Sequence, residues 1–73
     1  MLETERLIHI RFEGKSADLP LVDLGINGFA SDEDIKAALA RHFDVAVSKF
    51  DHYVVERHAT GHITVRPEAI FGS

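Results

Sequence analysis

Apolar and polar positions alternate along RLIHIRFEG, Arg6 to Gly14: Ile8, Ile10 and Phe12 fall on one side, Leu7, His9 and Arg11 on the other. That period of two is the mark of a strand with one buried face. GKSAD follows, with the glycine and small polar residues of a turn, and LPLVDL, Leu19 to Leu24, reads as a second strand. Pro20 cannot donate to a ladder, which puts that strand at a sheet edge. If Val22 and Leu24 face inward, Leu19 and Leu21 are exposed, and the opposite register buries them. GINGFA leads out of it, with Gly25 and Gly28 free to take positive φ. Its G-x-x-G spacing does not make a nucleic-acid clamp of the KH type, because that loop joins two helices and this one follows a strand.

The period changes at Ser31. Asp32, Glu33 and Asp34 supply an acidic first turn, and Ser31 with Asp34 has the spacing of a capping box. Ile35, Ala38, Leu39, His42 and Phe43 then recur at three and four, with Arg41 and His42 in the last turn, so a helix is predicted from Asp32 to Phe43. The acidic cluster belongs to that cap and dipole rather than to a metal site. In DVAVSKFD, Val45, Val47 and Phe50 are expected to close the edge of the core. HYVVERH and HITVRP read as third and fourth strands, the last stopped by Pro67. Ala59-Thr60-Gly61 between them suits a three-residue hairpin loop, which sets His58 opposite His62, Arg57 opposite Ile63, Glu56 opposite Thr64, Val55 opposite Val65 and Val54 opposite Arg66.

Strand, strand, helix, strand, strand is most simply satisfied by one four-stranded mixed sheet covered on one face by the helix, an α+β fold. The order and lengths of these elements resemble the β-grasp fold of ubiquitin-like proteins. The resemblance is one of architecture and includes no diagnostic motif. It implies sheet order 2-1-4-3, with the first and last strands parallel at the centre, and says little about function.

Composition narrows the classes. The 73 residues make a single domain, 1–73, too small to divide and still bury a core. With no cysteine there is neither a disulfide nor a thiolate zinc site, so stability rests on packing, helped by any self-association into a homo-oligomer. A cysteine-free chain fits a reducing cytoplasm, and nothing near Met1 resembles a signal sequence. The formal charge of −4 disfavours nucleic acid as a partner, and no run approaches the roughly 20 apolar residues that span a bilayer. Nothing in the chain implies a cofactor.

With the helix on one side, Ile8, Ile10, Phe12, Tyr53, Val55, Ile63 and Val65 should face it. The uncovered side should then carry Leu7, His9, Arg11, His52, Val54, Glu56, His58, His62, Thr64 and Arg66, with four of the five histidines among them. His58, His62 and Glu56 offer two imidazoles and a carboxylate, a candidate metal set that lacks the closure of a structural site. The alternative is a solvated polar face with Glu56 paired to Arg66. Catalysis is not expected, because a flat sheet face lacks the cleft and converging groups it needs. A protein-binding face is the expectation, and since imidazoles in water charge near pH ~6.5, a partner held there should bind pH-dependently.

The end of the chain carries a second candidate contact, Ile70, Phe71 and Gly72. Ubiquitin-like modifiers and sulfur carriers end in a slim tail closed by Gly-Gly; here Ser73 follows one glycine, and Ile70 and Phe71 precede it. The expectation is an apolar clasp on the core or on a neighbouring chain, with a trimmed modifier or sulfur carrier acting through Gly72 as the competing reading.

Overall fold

A computed structural model describes residues 6–68. The chain is α+β, in the order β1 (Leu7–Phe12), β2 (Lys15–Pro20), α1 (Asp32–Phe43), β3 (Tyr53–Arg57) and β4 (Ile63–Pro67), with short 3₁₀ turns at Leu21–Leu24 and Val47–Phe50. The four strands form one mixed sheet in the order β2-β1-β4-β3, antiparallel except for the central β1·β4 pair, which is parallel.

The helix begins and ends where its caps place it. Ser31 is extended, and its Oγ accepts the Asp34 N–H at 3.1 Å, satisfying one of the free donors of the first turn. Asp44 takes the left-handed conformation, φ 59°, and its N–H closes on the Ala40 and Arg41 carbonyls. Ile35, Ala38 and Leu39 face the sheet as expected. Ala40 completes the buried stripe, while His42 is exposed, its ring edge-on to Phe43 at 4.9 Å.

The β3–β4 hairpin has the expected register, Val54↔Arg66 through Arg57↔Ile63. Its loop closes through Gly61 N–H to His58 O and His58 N–H to His62 O, both 2.9 Å, with Gly61 at φ 94°. The first hairpin is not as expected. GKSAD is not a turn: Lys15, Ser16, Ala17 and Asp18 form most of β2, and the reversal is made by Glu13 and Gly14, whose φ of 53° and 81° are the sign of a type I′ turn. The strand expected over Leu19–Leu24 therefore ends at Pro20, and Leu21–Leu24 coils away. Pro20 does lie on an edge strand. Leu19, Leu21 and Leu24 turn inward and Val22 is exposed, a pattern with the spacing of a helical turn rather than either strand register.

The core is a single cluster between sheet and helix. Ile8, Ile10 and Val65 from the central strands, Ile35 and Leu39 from α1, and Phe50 have essentially no exposure. Phe12, Phe43, Phe50 and Tyr53 gather at one end, with the Phe12 ring 4.9 Å from Phe43 and 5.1 Å from Phe50, and Phe50 edge-on to Tyr53 at 5.0 Å. Val45 packs against this cluster; Val47, expected to join it, is half exposed because the 3₁₀ turn sends Phe50 inward in its place.

Candidate functional site

The pairing of the strands turns the uncovered side of the sheet into a grid. Side chains alternate across a strand, so the partners of Ile8, Ile10, Ile63 and Val65 on the core side leave Leu7, His9 and Arg11 of β1 beside His62, Thr64 and Arg66 on the other. From β3 the same side receives Val54, Glu56 and His58, and from β2 Ser16, Asp18 and Pro20. Three rows cross the sheet: Pro20, Leu7, His62 and His58; Asp18, His9, Thr64 and Glu56; Ser16, Arg11, Arg66 and Val54. His52, just ahead of β3, is exposed.

Most of the polar members of the grid are tied to a neighbour. His9 Nδ1 lies 2.6 Å from Asp18 Oδ1, and because a carboxylate only accepts, that nitrogen carries the proton. His58 Nε2 shares a 2.9 Å hydrogen bond with Thr64 Oγ1. The backbone N–H of Leu7 donates to His62 Nδ1 at 3.0 Å, which places the proton of a neutral His62 on Nε2. Arg66 grips Glu56 with two bonds, Nη2 to Oε2 at 2.8 Å and Nε to Oε1 at 3.4 Å. The hydrogen bond from Arg66, its positive charge and, more weakly, that of His58 hold the Glu56 carboxyl below the usual carboxylate range. The same bond and charge keep the Arg66 guanidinium more firmly protonated.

These bonds decide what the expected residues do together. His58, His62 and Glu56 share the face but turn to Thr64, Leu7 and Arg66 respectively, and no three His, Asp or Glu side chains among the described residues gather as a metal-ligand set. The leucine patch that an exposed Leu19 and Leu21 would have made is absent, since both turn to the core; Leu7 and Val54, each half-buried, are the apolar members of the grid. Arg11 is exposed and forms no ion pair among the described residues. Ile70, Phe71 and Gly72 lie outside the described residues.

Two features escaped the sequence pattern. Phe29 is 95% exposed, far beyond any other large apolar residue described. Asn27 Oδ1 accepts the Phe29 N–H at 2.8 Å, and the Ala30 N–H returns to the Asn27 carbonyl at 3.2 Å, so a closed turn presents the ring to solvent. The one signal for it was a large aromatic directly behind Asn-Gly, outside any period. Arg57, on the core side of β3, reaches the start of α1, with Nη1 2.7 Å from Asp32 Oδ1 and Nη2 donating to the Ala30 carbonyl at 2.9 Å.

The fold is thus a four-stranded mixed sheet of order 2-1-4-3 with one helix against one face, an arrangement compatible with a β-grasp-like fold. Comparison with protein-family models, with curated proteins and with solved structures yields no match. No helix among the described residues is long and apolar enough to cross a membrane.

Proposed function

We propose that the chain is a small non-enzymatic, adaptor-like domain of the ubiquitin-like β-grasp kind, acting in the cytoplasm, that binds another protein through the uncovered face of its sheet. The observation that carries this reading is that the face is both open and ordered. His9, His58, His62, Glu56 and Arg66 are each held by a neighbour, so their rotamers are set before any partner arrives. Side chains ordered in advance lose less entropy on binding, roughly 0.5–1.5 kcal/mol for each one otherwise immobilised. Arg11, which forms no ion pair among the described residues, stands in the row that ends at Val54, an arrangement suited to a partner with an acidic and an apolar group. Ile70 and Phe71 would extend the contact.

The test is the size of the particle that the chain forms in its native host. Wild type should elute in a discrete complex larger than the 8.1 kDa chain, and Arg11→Glu with Val54→Asp should return it to the position of the free domain with its circular dichroism unchanged. A wild-type chain that elutes alone, or a double variant that stays in the complex, contradicts the reading. The competing modifier or sulfur carrier requires removal of Ser73 and would show in the intact mass as a trimmed chain or a covalent conjugate.

A further inference from the structure

A recess of about 190 Å³ lies at the end of the sheet, bordering the grid at His58 and His62, where the chain entering β1, the loop ahead of α1 and the β3–β4 turn meet. Its side chains run against the character of the molecule. The chain carries a formal −4, yet among the described residues no carboxylate lines this recess, whereas Arg6, Arg57, His58 and His62 all do. Arg57 is already committed to Asp32 and the Ala30 carbonyl. Arg6 forms no ion pair among the described residues.

Gly61 makes room for Arg6, and Gly28 lies in ordinary contact with it. The Arg6 side chain lies along the hairpin turn so closely that a Cβ on Gly61 would stand 2.6 Å from Nε and 3.0 Å from Cδ, and a Cβ on Gly28 would lie 3.8 Å from its Nη1. The guanidinium is therefore laid between two backbone segments, and Phe29, which the Asn27 turn holds out to solvent, lines the same recess. Aromatic residues and arginine are the residue types that dominate binding energy at protein interfaces. The volume is below the roughly 300–1,000 Å³ of a small-molecule site and matches a single side chain.

We infer that this recess is a docking site for an acidic peptide segment: a glutamate or aspartate carboxylate meets the Arg6 guanidinium, and the apolar residue next to it packs on Phe29. A carboxylate suits the planar two-pronged donor of Arg6, and that same guanidinium repels a basic segment. The recess borders the sheet face at His58 and His62, but the groups that make the contact, Arg6 and Phe29, lie off that face, so the inference does not rest on the reading of the sheet.

The experiment is a titration of the ¹⁵N-labelled chain, followed by its amide signals, with a capped five-residue peptide bearing one glutamate between two leucines. The glutamine version of the peptide and inorganic phosphate serve as the other probes. The glutamate peptide should give saturable shifts centred on Gly28, Phe29 and Gly61. The glutamine peptide should bind about tenfold or more weakly, the factor expected from losing a charge-assisted hydrogen bond. Arg6→Gln and Phe29→Ala should each weaken the glutamate peptide to a similar degree while the amides of Ile10 and Leu39 stay in place, which shows the variants folded. Equal binding of the two peptides, shifts centred elsewhere, or no saturable shift overturns the inference. Saturation of the same amides by phosphate as tightly as by the glutamate peptide also overturns it, marking a general oxyanion site in place of a peptide site. Loss of this binding leaves the sheet-face complex of Arg11 and Val54 untouched, so the two readings fail separately.

Discussion

The two sides of the sheet are built from the same four strands and obey opposite rules. On the helix side, Ile8, Ile10, Val65, Ile35, Leu39 and Phe50 have almost no contact with water, and four aromatic rings fill one end. On the open side, the polar groups are joined in pairs: His9 with Asp18, His58 with Thr64, Glu56 with Arg66. Burial of apolar surface contributes about 25 cal/mol per Å², so the first side accounts for stability. Solvent-exposed polar pairs contribute little to stability, so the second side is nearly free to be shaped by what it contacts. The difference teaches where to look for function: in residues whose positions are fixed but whose removal costs the fold little.

The sharpest way to break this comparison is to remove a ring from the covered side. Phe50→Ala should destabilise the chain by about 3–5 kcal/mol, since Phe50 is fully buried between Phe12 and Tyr53, and the loss would be read as a fall in the urea midpoint. A loss below about 1 kcal/mol would mean that the core is not packed as described. Next in size is the turn that sets the register of the open face. Gly61→Ala places a Cβ at φ 94° and against Arg6, and should cost about 1–2 kcal/mol, with amide exchange quickened in β3 and β4 before the helix is affected.

The smallest effect belongs to the open side and appears only as pH dependence. Glu56 is held below the usual carboxylate range by Arg66, so the stabilisation it brings is fully present above the ordinary carboxylate pKa and is lost as pH falls through the depressed folded value. Glu56→Gln should therefore flatten the decline of stability on the acid side, the variant matching wild type in acid and lying slightly below it at neutral pH. A decline of unchanged steepness would show that the Glu56–Arg66 pair is not formed in solution.

How much of this could be read from the residues depended on how local the signals were. The helix followed from Ser31 and the acidic turn at one end and the three-four recurrence after it, and Ala59-Thr60-Gly61 set the register that placed four histidines on one face. The first hairpin was missed because its turn is Glu-Gly rather than Asn-Gly, and because Ser16, Ala17 and Asp18 have poor strand propensity; pairing with β1 overrides it. Leu21 and Leu24 resembled strand residues because four apolar positions in a six-residue stretch fit either period. The side of the sheet taken by His9, His58 and His62 was legible, but their bonding partners were not: His62 meets the Leu7 N–H across 55 positions of chain. Phe29 and Arg6 were invisible for the same reason, since the recess they share exists only once β1, the loop and the second turn have been brought together.

The most direct test of the open face as a recognition surface is site-specific photo-crosslinking in the native host. A photoreactive residue is placed at Thr64, in the middle of the grid, and in a separate variant at exposed Glu33 on the outer side of α1. The Thr64 position should yield one discrete adduct and the Glu33 position none. Labelling at Glu33 alone, or equal labelling at both positions, would contradict the assignment of the uncovered sheet as the binding face.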